Sequence, residues 1–128
     1  SMTPTILMKD GKPVMAIGSP GSERIISAIV QVISLWVDAG LSIEEAVNQN
    51  RIHVSPGKEL YIENDNLPGI EREILLNSGF TFSTPPSEII INGLNPYFGG
   101  VHAVALENSE WEGAADPRRD GSIGFISK

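Results

Sequence analysis

Residues 18–25 read Gly-Ser-Pro-Gly-Ser-Glu-Arg-Ile, between a strand-like segment, Pro13–Ile17, and a long apolar segment. This order predicts a corner at which a strand turns into a helix. The amides of Gly21, Ser22 and Glu23 would be among the unpaired donors of the first helical turn. Because the helix dipole adds partial positive charge there, the corner could hold a phosphate, a carboxylate or the oxyanion of acyl transfer. The alternative is a plain strand-to-helix turn that binds nothing.

A hairpin and a long helix flank the corner. Thr5–Lys9 and Lys12–Ile17 are predicted strands around Asp10-Gly11, the strongest short hairpin signal in the chain. Glu23–Ala39 is predicted to be a helix that ends at Gly40. Its apolar residues nearly encircle it, and one polar seam interrupts them: Ser27, Gln31, Ser34 and Asp38. Such a helix needs cover on several sides, so we expect it to lie on a sheet and to meet another helix or a partner chain.

The remaining segments predict further helices and short strands. Ser42-Ile43-Glu44-Glu45 is a capping box for a helix over about Ile43–Asn50, and Leu67–Ser78 is predicted to be a third helix. Short strands are predicted at Leu60–Glu63, Phe80–Ser83, Glu88–Asn92, His102–Leu106, Trp111–Ala114 and Ser122–Ile126. The loop Gly93–Gly100 has functional potential. Hairpins covered by helices are typical of a layered α/β (α+β) fold.

Length and composition limit the possible functions. The 128 residues predict a single domain with one core. A net charge of −7 argues against a nucleic-acid surface and against a polybasic membrane patch. The absence of cysteine excludes disulfide and thiol chemistry. No signal peptide or transmembrane run is visible, and the compartment stays open.

Four segments, taken in order, carry a family resemblance. Residues 1–6 read Ser-Met-Thr-Pro-Thr-Ile, residues 10–13 read Asp-Gly-Lys-Pro, the corner follows, and residues 113–121 read Gly-Ala-Ala-Asp-Pro-Arg-Arg-Asp-Gly. Together they resemble the C-terminal part of the small subunit of the γ-glutamyltranspeptidase family, whose members are N-terminal-nucleophile hydrolases. The resemblance is weak in Asp65–Asn95. It implies part of a four-layer αββα sandwich with mainly antiparallel strands.

The resemblance implies roles for individual residues. Ser1 would hydrogen-bond the α-carboxylate of a γ-glutamyl group, and Met2 and Thr3 would shape the same pocket. Gly21 and Ser22 would supply oxyanion-hole amides. The family pattern has a second glycine where this chain has Ser22. The backbone amide survives that change, but the side chain could crowd the hole or block a backbone conformation that glycine permits.

The nucleophile of the family does not match any residue of this chain. An N-terminal-nucleophile hydrolase needs a Thr, Ser or Cys whose own amine serves as the base. Family members carry a threonine in a Thr-Thr/Ser-His-type segment, whereas Ser1 aligns with the substrate-binding motif. We therefore expect the substrate-pocket and oxyanion-hole portion of a γ-glutamyltransferase or hydrolase. It would transfer the acyl group from glutathione-like donors to water, amino acids or peptides, and would be inactive alone.

The implied partners are the large subunit, the N-terminal part of the small subunit and a γ-glutamyl small molecule. The helix over Glu23–Ala39 is apolar on nearly every side, so we also expect an exposed apolar face through which the isolated chain forms a homodimer. Two alternatives stay open: a degenerate binding or scaffold module of the same fold, and a related acylase.

Other conspicuous residues favour structural roles. Asp116-Pro117-Arg118 resembles the family's closing signature, and its turn chemistry explains it without a ligand. His53 and His102 have no carboxylate or second histidine at ligand spacing, so no metal is expected. Trp36 and Trp111 are predicted to be packing residues. No cofactor is expected.

Overall fold

Two sheets, three α-helices and one short 3₁₀ helix, Pro96–Phe98, make up the part of the chain that the computed structural model describes, residues 3–126. In chain order the elements are β1 (Thr5–Lys9), β2 (Lys12–Gly18), α1 (Arg24–Val37), α2 (Ile43–Asn48), β3 (Ile52–Val54), β4 (Glu59–Ile62), α3 (Gly69–Asn77), β5 (Thr81–Ser83), β6 (His102–Glu107) and β7 (Glu110–Ala115). The main sheet has the strand order β1-β2-β6-β7, and the smaller sheet has the order β3-β4-β5.

Tight turns build the main sheet, which is antiparallel throughout. Asp10 and Gly11 have φ angles of +51° and +73°, the pair of positive values that a type I′ hairpin turn requires. Asn108 and Ser109, with φ angles of +49° and +67°, make the same kind of turn between β6 and β7. The β1–β2 hairpin prediction is confirmed. The predicted α/β (α+β) class with mainly antiparallel strands is confirmed too, with β4–β5 as the parallel pair.

Helices α1 and α2 cover one face of the main sheet. The buried apolar cluster between the layers combines strand and helix residues: Met15, Ile17, Ile25, Ala28, Ile29, Val32, Ile43, Ala46, Val47, Val101, Ala103, Ala105 and Ala114. The opposite face of the sheet carries exposed apolar side chains, among them Ile6 and Val104. None of the helices in residues 3–126 is long and apolar enough to cross a membrane.

The polar seam of α1 attaches the smaller sheet. Gln31 donates from Nε2 to the carbonyl of Ile52 at 2.8 Å and accepts from the Ile52 amide at 2.9 Å. The side-chain amide thus satisfies the backbone of β3 at the edge of its sheet. One helical turn away, Ser27 Oγ lies 2.7 Å from Nδ1 of the buried His53. The helix predicted to need a second neighbour therefore finds it in β3.

Helix boundaries follow the predicted signals with small shifts. Helix α1 begins at Arg24, one residue later than predicted, and Gly40 follows it with a φ of +70°. The capping box is confirmed: Ser42 Oγ accepts from the Glu45 amide at 3.1 Å, and Glu45 Oε2 accepts from the Ser42 amide at 2.9 Å. Helix α2 ends at Asn48, two residues before its predicted end.

Two predicted strands are wrong, and one strand was missed. Within Glu88–Asn92, residues 88–90 have no regular secondary structure, and Ile91 opens a tight turn in which its amide donates to the Leu94 carbonyl at 2.8 Å. Ser122–Ile126 forms no strand, and of its residues Ile123 packs against the main sheet beside Gly113. The missed strand is Ile52–Val54, which is short and carries no turn signal before it.

Four buried charges join the two sheets. Arg51 directly precedes β3, Glu63 follows β4, and Asp116 and Arg118 follow β7. Asp116 Oδ2 lies 2.7 Å from Arg51 Nη2, and its Oδ1 lies 3.1 Å from Arg118 Nη1. Arg118 also binds Glu63 through two contacts, Nη2 to Oε2 at 2.5 Å and Nε to Oε1 at 2.7 Å. The two positive and two negative groups balance, which is the condition for burying charge.

The two arginines also bind the end of α2. The Val47 carbonyl accepts from Arg51 Nη2 at 2.9 Å and from Arg118 Nη1 at 3.1 Å. The Gln49 carbonyl accepts from Arg118 Nη2 at 2.7 Å. Carbonyls in the last helical turn have no partner within the helix, so the network satisfies them.

Attraction between the opposite charges of this four-residue network favours the ionised forms of Asp116 and Arg118. For Asp116, burial alone would raise the pKa, but the charge of Arg51 and the Arg118 amide outweigh it and hold that pKa below its usual value. For Arg118, burial acts to lower the pKa, and the hydrogen bonds to Glu63 and the charge of Asp116 raise it above its usual value. Burial and the charge of Arg118 lower the pKa of Arg51.

Replacing Asp116 with asparagine tests the network. Asp116→Asn keeps the shape but leaves two buried guanidinium groups facing one carboxylate, so we expect a loss of about 3–5 kcal/mol in unfolding free energy. Urea denaturation at pH 7 measures it. The matched control is Asp65→Asn, which removes a carboxylate from a surface pair with Arg72 and should leave the urea midpoint unchanged. Equal effects of the two substitutions would contradict the role assigned to the network.

The Asp116 contribution should also depend on pH. Since its pKa is lower in the folded state than in the unfolded chain, the stabilisation is present above the unfolded value of about 3.9 and is lost as the pH falls through the folded value. The gap between wild type and Asp116→Asn should therefore close in acid. A gap that stays constant from pH 7 to about pH 2, below the usual carboxyl range, would oppose this assignment.

Candidate functional site

The corner between β2 and α1 has an unusual backbone. Gly21 has a φ of +136° and Ser22 a φ of +54° before the helix begins at Arg24. A left-handed conformation costs a residue with a Cβ about 1–2 kcal/mol. Ser22 adopts it nonetheless, so its side chain does not block the conformation that glycine permits.

Three consecutive amides of this corner have no acceptor among residues 3–126: those of Gly21, Ser22 and Glu23. The first helical hydrogen bonds run from Arg24 N to the Gly21 carbonyl, 3.1 Å, and from Ile25 N to the Ser22 carbonyl, 3.2 Å. The Glu23 side chain makes no capping hydrogen bond. The corner therefore presents three backbone donors together with the positive end of the α1 dipole, an arrangement suited to an anion.

The loop of residues 93–100 packs directly against this corner. The buried Ser19 hydroxyl accepts from the Gly100 amide at 3.2 Å, and Arg24 Nε donates to the Tyr97 carbonyl at 3.1 Å. Gly99 has a φ of +96°, and a Cβ there would lie 2.9 Å from Ser19 Oγ and 3.3 Å from the Pro20 carbonyl. Only a residue without a side chain brings the loop this close to the corner.

The far side of the loop is fixed by the buried charges. The Asn95 amide donates to Glu63 Oε1 at 2.8 Å, and Arg51 Nη1 donates to the Phe98 carbonyl at 3.1 Å. The Val101 amide donates to Asp116 Oδ2 at 2.6 Å. The ion network therefore supports the loop, and the loop supports the corner.

An aromatic cluster lies beside the corner. The rings of Tyr61 and Tyr97 have centroids 5.3 Å apart, and the Arg24 guanidinium lies 4.5 Å from the Tyr97 centroid. Burial and the charge of Arg24 lower the pKa of His53, whose ring stacks near Tyr61. His53 packs within this cluster, and its ring centroid lies 6.4 Å from the Tyr97 centroid. Within residues 3–126 no three His, Asp or Glu side chains come together as metal ligands would.

The substrate-binding residues predicted at the N-terminus are only partly described. Ser1 and Met2 lie outside the described residues. Thr3 is exposed, and its carbonyl accepts from Thr5 Oγ1 at 3.2 Å. Since Thr5 pairs with Ile17, the chain before β1 and the corner after β2 leave the main sheet at the same end.

Sequence reasoning did not single out three residues that shape this site: Ser19, Gly99 and Arg51. The adjacent glycines at 99 and 100 were the available signal, because a double glycine often marks a close approach of two backbones. Nothing local distinguishes Arg51 from a surface arginine.

Comparison with known proteins shows which family the chain belongs to. The sequence model described as Gamma-glutamyltranspeptidase matches residues 1–126. The chain belongs to the γ-glutamyltranspeptidase family. It is 36% identical over 124 residues to the glutathione hydrolase proenzyme of Bacillus subtilis (strain 168), a match that covers 95% of this chain and 19% of the relative. It is 30% identical over 128 residues to the Acylase ACY 1 proenzyme of Pseudomonas sp. (strain SE83), covering 99% and 21%.

A solved structure extends the comparison to the fold. The γ-glutamyltranspeptidase from Pseudomonas nitroreducens complexed with L-DON superposes with a TM-score of 0.76 at 29% identity, covering 100% of this chain and 63% of that chain. The predicted family and the N-terminal-nucleophile hydrolase fold are thereby confirmed. This chain spans about a fifth of the length of the curated relatives.

Alanine at Gly99 should separate backbone strain from steric contact at the site. Gly99→Ala must fit a methyl group against Ser19 and Pro20, whereas Gly40→Ala has a positive φ of +70° and open space. We expect Gly40→Ala to cost about 1–2 kcal/mol of unfolding free energy, and Gly99→Ala about 1–3 kcal/mol more because of overpacking. Urea denaturation of both variants measures these losses. Equal losses would mean that the loop is not in tight steric contact with the corner at Gly99.

Proposed function

We propose that this chain is the substrate-pocket and oxyanion-hole portion of a γ-glutamyltransferase or hydrolase. Residues 1–128 would form one domain, the C-terminal portion of the small subunit. The observation that carries the proposal is the set of three consecutive amides at the start of α1, Gly21 to Glu23, that have no acceptor within residues 3–126. Family membership supplies the reaction class, transfer of a γ-glutamyl group from glutathione-like donors to water, amino acids or peptides.

The corner would act when the acyl carbon becomes tetrahedral. Attack on the γ-carbonyl puts negative charge on its oxygen, and the amides of Gly21 and Ser22 would donate to that oxyanion. Donors fixed before the reaction need no reorganisation as charge develops, which lowers the barrier. Ser1, Met2 and Thr3 would bind the α-carboxylate end of the substrate.

The nucleophile would come from outside this chain. The threonine whose amine acts as base would stand in the N-terminal part of the small subunit, and the large subunit would complete the substrate pocket. The much greater length of the curated relatives supports such partners. Acyl transfer of this kind uses the nucleophile and the amides alone, so the proposal includes no cofactor.

A related acylase is the second candidate. Ser22 places a hydroxymethyl group beside the donor amides, where the family pattern has glycine. That group would narrow the space around the oxyanion and so change which acyl groups fit. Similarity to a relative named Acylase ACY 1 proenzyme supports this candidate. The third candidate is a non-catalytic binding or scaffold module of the same fold. Turnover of γ-glutamyl substrates by the longer protein separates the first from the other two.

Exposed apolar surface supports the proposed partners. Ile26 and Val30 on the outward face of α1 are 69% and 57% exposed, and with Ile52 and Val54 they line one groove between α1 and β3. Large apolar patches of this kind commonly mark contacts between proteins. The remaining segments of the parent enzyme would cover this groove, and in the isolated chain a second copy would take their place.

The first prediction of this proposal is that the isolated chain is inactive, because it lacks the nucleophile. Incubation with a chromogenic γ-glutamyl anilide and a dipeptide acceptor should give no turnover above buffer. A longer polypeptide with a threonine-initiated segment before Ser1 should turn the substrate over. Turnover by the isolated chain that disappears in Ser1→Ala would instead make Ser1 the nucleophile.

The second prediction is that the isolated chain forms a symmetric dimer through the α1–β3 groove. Light scattering at micromolar concentration should give twice the monomer mass. Ile26→Lys should restore the monomer, because it puts a charge in the groove. Ile70→Lys is the matched control, since Ile70 is 71% exposed on α3, away from the groove. A monomeric wild type, or a dimer unaffected by Ile26→Lys, would rule out this surface.

A further inference from the structure

The donor amides of the corner belong to peptide planes whose carbonyls are also bound. Because a peptide group is planar and trans, fixing its carbonyl fixes the direction of its N–H. The Gly21 carbonyl shares a plane with the Ser22 amide and accepts from Arg24 N; the Ser22 carbonyl shares a plane with the Glu23 amide and accepts from Ile25 N. The start of the helix therefore orients two of the three donors.

The third donor is oriented by a side chain. The Gly21 amide shares its plane with the Pro20 carbonyl, which accepts from Ser19 Oγ at 2.7 Å. Ser19 Oγ in turn accepts from the Gly100 amide at 3.2 Å. A continuous chain of hydrogen bonds thus runs from the loop amide, through the hydroxyl and the Pro20–Gly21 peptide, to the Gly21 donor.

We propose that Ser19 is a positioning residue for the Gly21 oxyanion donor, an inference that rests on the proposed function. Its hydroxyl holds the Pro20–Gly21 plane and, by donating to the carbonyl, strengthens the N–H at the other end of the same peptide. Ser19 is 4% exposed, so water does not replace the lost hydroxyl freely. Gly99 is also needed for this hydrogen-bond chain, because a side chain at that position would push the loop away from Ser19.

Kinetics of the full-length proenzyme that contains this chain test the proposal. Ser19→Ala should lower kcat about tenfold and change KM less than about twofold, since the donor is misdirected rather than removed, and complete removal of one donor costs about 10²–10³-fold. The control is Ser34→Ala, which loses a comparable hydroxyl bond to Asp38 on the exposed side of α1. It should leave both constants unchanged.

A tetrahedral inhibitor separates positioning from general destabilisation. A boronic acid analogue of the γ-glutamyl group forms a tetrahedral adduct that places an oxygen in the hole, whereas free glutamate does not. Ser19→Ala should weaken the boronate about tenfold and glutamate less than about twofold, because only the boronate uses the donor. Equal weakening of both ligands, or constants equal to those of Ser34→Ala, would overturn the proposal.

The failure of the proposed function would be visible separately. It would appear as absence of turnover in the wild-type full-length protein, and amide hydrogen exchange on the present chain would then decide the role of Ser19. Ser19→Ala should speed exchange at Gly100 about tenfold or more, because that amide loses its acceptor, and should shift the Gly21 amide resonance. Exchange and shifts equal to those of Ser34→Ala would overturn the positioning role.

Discussion

The buried ion pairs among Arg51, Glu63, Asp116 and Arg118 are the constraint on which the rest of the structure depends. The protein interior does not solvate a buried charge that has lost its partner. Burying these four groups is therefore favourable in free energy only when all four are paired. They flank strands of both sheets, and they bind the carbonyls at the end of α2. Correct pairing therefore requires both sheets and this helix to be assembled together.

The same network reaches the corner through one loop, residues 93–100. Arg51 and Glu63 bind backbone groups of the loop, and Asp116 binds the amide of Val101, the next residue. On its other side the loop packs against the corner, where Gly99 contacts Ser19 and Pro20. Amides that stabilise a developing charge must already point to it, since reorientation during the reaction would consume the benefit. The rigidity of a small surface corner thus depends on charges buried well behind it.

Much of the local structure was readable from the sequence. The Asp10-Gly11 hairpin, the Ser42 capping box and the helix that ends before Gly40 each depend on residues a few positions apart. Strand predictions at Glu88–Asn92 and Ser122–Ile126 failed because an apolar segment becomes a strand only where a neighbouring edge is free to pair with it. That edge is a property of the assembled sheet.

By itself, the sequence determined the family, the turns, the caps and the corner, because ordered motifs and short-range hydrogen bonds are written in adjacent residues. Only the tertiary structure decided which charges are buried and which hydroxyl orients the donor. Arg118 meets Glu63 across 55 positions, and Ser19 meets Gly100 across 81. Contacts at such separation arise from the packing of whole layers, and neither the residue type nor its neighbours in the chain specify the partner.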